Sequence, residues 1–428
     1  MPLSRRLILG IGGVLAARPA WAMNALQAET VTAEARLRNE GRYLPRWIEL
    51  LDDAGERERV KQMLGPDQAD FIDMVVRDGR SQYASFLGDE AAALADASRS
   101  TTAPDPSEQL VAIDALKAIV EASRGHRVVM LNEAHVASRH RHFLALLVRA
   151  LDEEGFTHLA AETFDQSVET LKAGDAVVPA HGWYIHDPVF AEATREALGR
   201  GWGLVSYEVR DHQRSSEPGM SDAATLVREQ AQADNLKAAL DSDPEMRVLV
   251  FVGYGHLREV GPPFGARFKR DTGIDPLTIG QAGIGAFGPK VQDPPPVQAL
   301  LNKFRPSAPV VLLKPGQSPS SATTGADLTS EETDLIVLHP TLADVEGRPG
   351  WLAADPSRRR LKVRTPAGDG PRLLQAIHVG DPEPAIPADQ FLVSDQAGEC
   401  LLLLRPGQYR IRLETPTGFL SLGDHCVS

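Results

Sequence analysis

Five short apolar runs recur through the middle of this sequence: Val128–Leu131, Thr157–Ala161, Gly203–Tyr207, Val248–Val252 and Pro276–Ile279. Between the first four lie stretches with helical spacing, Phe143–Leu151, Val189–Leu198 and Ala224–Leu240. Runs of this length are strand-sized, and the intervening segments are long enough for helical crossovers. Strand–helix–strand alternation constrains the chain strongly, because parallel neighbours need a connection that leaves one end of the sheet and returns to the other. The expectation is an α/β fold, a mainly parallel sheet flanked by helices. Val310–Leu313 and Leu335–Leu338 complete the sheet or pair at its edge.

The flanks have a different character. Residues 23–106 read as a helical N-terminal segment and linker, with Trp47-Ile48-x-x-Leu51 and Phe71-Ile72-x-x-Val75 at helical period and a Ser/Thr/Pro-rich stretch from Ser98 to Pro106. Ser107 is expected to cap a helix running to about Ala122. The α/β unit is expected over 107–354, with exposed connections at Pro294–Pro296 and Gln317–Gly325. From residue 355 to 428 short apolar runs alternate with turn residues (Leu361–Val363, Phe391–Val393, Leu401–Leu404, Tyr409–Ile411), which predicts a small β-sandwich-like C-terminal domain. Arg358-Arg359-Arg360 reads as a solvated strand face.

Residues 1–22 read as a targeting peptide. Ser4-Arg5-Arg6-Leu7-Ile8-Leu9 has the pattern of a twin-arginine leader, and Ala20-x-Ala22 offers a cleavage site. The expected location is periplasmic or secreted. No later stretch of 18 apolar residues exists, so no membrane span is expected. The net charge of −13 argues against a nucleic-acid partner, which needs a basic face to neutralise phosphates. Cys400 and Cys426 either form a disulfide, in an oxidising compartment, or are two small hydrophobes.

The chemistry gathers where the strand-like runs end. The first run leads into Asn132-Glu133-Ala134-His135, the second ends at Glu162, the third at Glu208 and the fourth at Gly253-Tyr254-Gly255-His256. In an open parallel sheet the carboxyl ends share one edge, where ligands bind. Glu133, His135, Glu162, Glu208 and His256 are therefore expected to converge, in a set able to bind a divalent metal or to run acid–base chemistry on water.

Asn132-Glu133-Ala134-His135, Ala161-Glu162 and Val252-Gly253-Tyr254-Gly255-His256-Leu257, in that order, resemble the erythromycin esterase/ChaN/Tiki (TraB-like) superfamily over about residues 125–285. Arg228-Glu-Gln-Ala-Gln-Ala-Asp-Asn235 is similar to a helix found in some of its members. Asn132 stands where the family usually has Gly, and Gln232 where some members carry Met. The resemblance implies a site built from Glu133, His135, Glu162 and His256, with Arg228 beside it. Esterase-like members imply a His that activates water, Tiki-like members a divalent metal, and ChaN-like members haem.

Further candidates are His140 and His142, which either contact substrate or Glu133 or form a solvated basic edge with Arg139 and Arg141. Positive charge at a helix start is unfavourable unless a carboxylate is near. His181-Gly-Trp-Tyr-Ile-His186 either walls a substrate pocket, with His186 reaching the site, or is an ordinary packed loop. Arg210 is a candidate to neutralise Glu208, and Tyr254 lies inside the final motif. Three readings follow. The first is an exported hydrolase of an ester or amide bond in a small molecule or peptide. The second is a haem- or metal-binding protein without turnover. The third is an interaction module whose C-terminal domain docks on an envelope partner.

Overall fold

A computed structural model describes residues 37–64, 69–95, 103–215, 222–282, 293–321, 333–393 and 395–428. Residues 1–22, read above as a targeting peptide, most of the Ser98–Pro106 linker and residues 322–325 of the Gln317–Gly325 connection lie outside the described residues. The N-terminal helices are α1 (Leu44–Leu51), α2 (Asp53–Leu64), α3 (Ala69–Phe86) and α4 (Glu90–Ala95). The middle of the chain alternates β1 (Val111–Asp114), α5 (Ala115–Ser123), β2 (Val128–Glu133), α6 (Ser138–Asp152), β3 (His158–Ala161), α7 (Pro188–Gly199), β4 (Gly203–Val205), α8 (Asp222–Ser242), β5 (Val248–Gly253), α9 (Phe264–Thr272), β6 (Leu277–Ala282), α10 (Pro295–Phe304), β7 (Val310–Leu313) and β8 (Leu335–Leu338). A one-turn helix, α11 (Gly350–Ala353), leads into β9 (Arg359–Thr365), β10 (Arg372–His378), β11 (Asp389–Val393), β12 (Gly398–Leu404), β13 (Gly407–Thr415) and β14 (Gly418–Val427).

The large sheet has the order β1-β7-β8-β6-β2-β5-β3-β4. Strands β4, β3, β5, β2, β6 and β8 run parallel, while β7 and β1 add an antiparallel edge. β2 and β5 are buried along their whole length, as their unbroken apolar runs require when helices cover both faces. The chain leaves β2 for β3 and β4 on one side, returns to insert β5 between β2 and β3, and then crosses to β6 on the other side. That reversal opens a crevice at the carboxyl ends of the neighbouring strands β2 and β5.

Several local expectations are corrected. The helix expected from Ser107 begins at Ala115, because Val111–Asp114 pairs with β7 and the Asp114 side chain accepts from Lys117 N–H to cap α5. Pro294–Pro296 is not an open connection but the start of α10, with Pro inside the first turn where its missing N–H costs nothing. Within Arg358-Arg359-Arg360, Arg359 and Arg360 are exposed, but Arg358 is buried and donates to Leu403 O.

The C-terminal strands form two antiparallel sheets, β11-β10-β13-β14 and β12-β9. Val363, Leu402 and Leu404 of the smaller sheet pack in one apolar cluster with Leu374, Ile411 and Leu413 of the larger. Cys400 lies on β12 and Cys426 on β14, and both are free thiols rather than a disulfide. The N-terminal helices pack on this region: Leu373 of β10 sits in the cluster of Tyr43, Leu44, Trp47 and Phe86. Glu414 of β13 accepts the backbone N–H groups of Tyr43 and Leu44 at 3.0 Å each, supplying from the other end of the chain the cap that α1 lacks locally.

Candidate functional site

The parallel strands β2, β5, β3 and β4 are neighbours, so the residues that follow them meet along one edge. Glu133 is the last residue of β2 and pairs in register with Gly253, the last of β5. Glu162 follows β3, and Glu208 lies three residues past β4. The short turn Tyr254–His256 after β5 carries His256 to the same edge. α8 crosses beneath and contributes Arg228 and Glu229.

Two carboxylate–imidazole pairs organise the site. His135 Nδ1 lies 2.8 Å from Glu133 Oε1, and His256 Nδ1 is in close contact with Glu229 Oε1. An ionised carboxylate only accepts, so each Nδ1 carries the proton and each Nε2 is left for other chemistry. Glu162 stands between the pairs. Its Oε2 accepts Gly253 N–H at 2.8 Å, its Oε1 accepts Arg228 Nη2 at 2.6 Å, and His256 Nε2 lies 3.5 Å from Oε1. Arg228 also donates through Nε to Glu208 Oε1 at 3.0 Å, and its Nη1 is 3.3 Å from His256 Nε2.

Glycine at 253 is a requirement of close approach, not of backbone angle, since its φ is −66°. A Cβ there would fall 2.7 Å from His135 Nε2 and 3.3 Å from Glu162 Oε2. The imidazole nitrogen and the carboxylate thus flank one backbone position that only glycine leaves open.

Charge balance sets the protonation states. Burial alone would raise the Glu133 carboxyl, but Arg141 and His135 outweigh it and hold its pKa below the usual value. Burial opposes ionisation of Glu162 as well, yet His256, Arg228 and His135 together hold its pKa far below the usual carboxylate range. For His256, burial works against the charged form, and the Glu162 and Glu229 carboxylates prevail and raise its pKa.

Behind Glu133 lies a buried chain of ion pairs. Arg141 Nε donates to Glu133 Oε2 at 2.8 Å, Arg141 Nη1 donates to Asp187 Oδ2 at 2.8 Å, and Arg141 Nη2 donates to the His135 carbonyl. Asp187 is also the N-cap of α7, its Oδ1 accepting Val189 N–H, with Pro188 in the first turn. Sequence reasoning missed Arg141, Asp187 and Glu229. A signal for Arg141 was present: a cation in the first turn of a helix demands an anion, and Glu133 and Asp187 supply it. Tyr184 stacks on the His135 ring, centroids 4.2 Å apart and planes 12° from parallel.

The structure brings together Glu133, His135, Glu162, Glu208, Arg228 and His256, and places the other candidates elsewhere. His140 is buried; its Nδ1 accepts Ala134 N–H at 3.0 Å and so fixes the turn that presents His135. Burial pushes its pKa down to about 3, which keeps it neutral. His142 is also buried and points toward Trp351 and Asp355, away from the cluster. His186 sits edge-on to Phe86 and Trp183 in an aromatic box. Arg210 does not neutralise Glu208; Arg228 does, assisted by Gln232 Nε2 at 3.1 Å. Tyr254 turns its hydroxyl to Gln281 O at 3.2 Å and its ring edge to His140. Asn132, where a family glycine was expected, uses its Oδ1 to accept Gln281 N–H at 2.7 Å and ties β2 to β6.

These residues do not fit a resident metal. Among the described residues no group of three or more His, Cys, Asp or Glu is arranged to hold one. Arg141 and Arg228 already occupy the cationic positions beside Glu133, Glu162 and Glu208, and a dication would have to share that space with guanidinium. Of the candidate haem ligands, the Tyr254 hydroxyl is engaged by Gln281 O, and His140 and His186 are buried.

No protein-family model matches this chain, and no curated protein matches it. Among solved structures, it is similar to the type III effector HopBA1 at 15% identity and a TM-score of 0.29, over 41% of this chain and 87% of that one. The C-terminal region of Pasteurella multocida toxin gives 11% identity and a TM-score of 0.31, over 86% and 57% of the respective chains. The haem-binding ChaN of Campylobacter jejuni gives 11% and 0.27, over 52% and 90%. Likeness at this level carries no argument about fold or function.

Proposed function

We propose that this chain is an exported hydrolase of an ester or amide bond that works by metal-free acid–base chemistry. One observation carries the reading: two carboxylate-oriented imidazoles, His135 and His256, flank the buried carboxylate Glu162 at the carboxyl edge of a parallel sheet. In this reading Glu133 fixes the His135 tautomer, and His135 Nε2 takes a proton from a water as its oxygen bonds to the substrate carbonyl carbon. The carbonyl electron pair moves onto oxygen. Its return breaks the bond to the leaving group, which takes a proton from His256 Nε2–H. Glu162 and Glu229 favour the cationic form of His256 needed for that donation. His135 suits the base because its side chain is 33% exposed, against 15% for His256.

Five carboxylates, Glu133, Glu162, Asp187, Glu208 and Glu229, outnumber the three cations Arg141, Arg228 and His256 in this cluster, which disfavours a polyanionic substrate and favours a neutral small molecule or peptide. The leader-like residues 1–22 support periplasmic or secreted placement, tested by fractionating cells that express the full chain.

The direct test uses chromogenic acetate and butyrate esters and a chromogenic peptide amide. Glu133→Gln and His135→Ala are expected to lose at least ~10²-fold in kcat, with thermal unfolding unchanged in His135→Ala and lowered in Glu133→Gln, which removes one of the two charges that compensate buried Arg141. Wild-type turnover is expected to survive exhaustive chelation. Full activity in both variants refutes the assignment, and loss of activity on chelation restored by a divalent ion refutes its metal-free form.

A further inference from the structure

The chain has six tyrosines. The hydroxyls of Tyr43, Tyr207, Tyr254 and Tyr409 each donate to a backbone carbonyl, as buried phenols ordinarily do. Tyr184 differs. Its backbone N–H donates to Thr163 Oγ1 and its ring stacks on His135, but its hydroxyl has no hydrogen-bond partner among the described residues. Tyr184 is half-buried, and its hydroxyl is not among the fully buried polar atoms that lack a partner. The ring packs against the His135 imidazole, centroids 4.2 Å apart, and the Arg141 guanidinium lies over it at 5.5 Å from its centroid. A rigid donor with an uncommitted proton, beside the imidazole that would activate water, is what a developing oxyanion needs.

We propose that Tyr184 is a further catalytic residue of this site, its hydroxyl donating a hydrogen bond to the substrate carbonyl oxygen as that oxygen takes negative charge. The inference rests on the hydrolase reading and adds the electrophilic partner that the two imidazoles lack. The proton stays on Tyr184 throughout; it stabilises charge and is not transferred. Burial and then the Glu162 and Glu133 carboxylates oppose ionisation of this phenol, so it remains a donor across the working pH range. Neither guanidinium can take the role, since Arg141 and Arg228 are committed to carboxylates.

The test compares wild type, Tyr184→Phe and His135→Ala in the full chain on the same chromogenic esters, with kcat, KM and Tm measured for each. Phenylalanine keeps the stack and removes only the hydroxyl. The expected result is a fall of about 10²-fold in kcat, KM within a few-fold of wild type and an unchanged Tm. Wild-type kcat in Tyr184→Phe, with His135→Ala inactive, overturns the Tyr184 assignment and leaves the hydrolase reading standing. Turnover that His135→Ala retains, or no turnover by wild type, removes the hydrolase reading and this inference with it. A clear drop in Tm for Tyr184→Phe shows that the hydroxyl is a structural partner and also overturns it.

Discussion

Arg141 and Asp187 form an ion pair buried on both sides, Nη1 donating to Oδ2 at 2.8 Å with side-chain exposures of 0% and 1%. The pair anchors the guanidinium that orients Glu133, so stability and site geometry share one contact. Asp187→Ala leaves a buried cation half-compensated and removes the α7 cap. It is expected to cost about 3–5 kcal/mol in chemical denaturation. Asp187→Asn keeps a cap acceptor and is expected to cost less. An Ala variant as stable as wild type contradicts the arrangement.

Gly253→Ala is a steric probe of the site. Its methyl would lie 2.7 Å from His135 Nε2, too close for the ring to stay on Glu133 and under Tyr184. Because φ at 253 is ordinary for alanine, the strand tolerates the change. The expected outcome is a fall of about 10²-fold in kcat with little change in Tm, since small displacements of a reacting group are costly. Unaltered kinetics show that the ring does not work from this position.

Glu229 and His256 predict a pH effect. Activity that needs cationic His256 falls as pH rises through its raised pKa. Glu229→Gln removes one of the two charges that raise it, so the alkaline limb of the kcat profile is expected to move to lower pH. A limb that stays in place assigns it to another group.

Acid sensitivity follows from buried neutral histidines. Burial pushes His140, His142 and His186 from the ordinary 6.5 down to about 3. Below pH 6.5 the unfolded chain therefore binds protons that the folded chain refuses, and stability drops as pH falls, by about 1.4 kcal/mol per pH unit per residue. Glu90 and Glu414 act in reverse. Burial pushes both up to about 7 from the ordinary 4.5, so the folded state takes up protons first and gains stability as pH falls from 7 to 4.5. The two effects oppose each other down to about pH 4.5; below it only the loss remains. Urea midpoints from pH 8 to 3.5 are expected to change gently and then fall steeply below about 4.5. A midpoint unchanged down to pH 3.5 contradicts the buried neutral imidazoles.

Glu414 also predicts a long-range coupling. Its carboxylate receives Tyr43 and Leu44 N–H, which no local side chain caps. Glu414→Ala strands two buried donors, expected to cost about 2–4 kcal/mol. Hydrogen exchange is expected to speed up first in α1, although the change lies on β13. Protection lost equally everywhere contradicts a local role.

The apolar runs alone determined the sheet: seven of its eight strands are legible, because a strand buried on both faces must be continuously hydrophobic. The residue following each run then follows from topology, since parallel strands share a carboxyl edge, and Glu133, His135, Glu162, Glu208 and His256 were readable for that reason. β1 was not legible, because Val111–Asp114 becomes a strand only when β7 lies alongside it. The direction of each side chain was decided only in three dimensions. Arg141, one residue from His140, turns to Glu133, while His140 folds back on the Ala134 amide and His142 leaves the site for Asp355. Asp187 and Glu229 reach the dyads from helices whose placement depends on packing against the whole sheet. Local sequence fixes helical period and chain direction. Which face meets which carboxylate is settled by the burial of charge, and buried charge takes its partner from wherever the fold brings one.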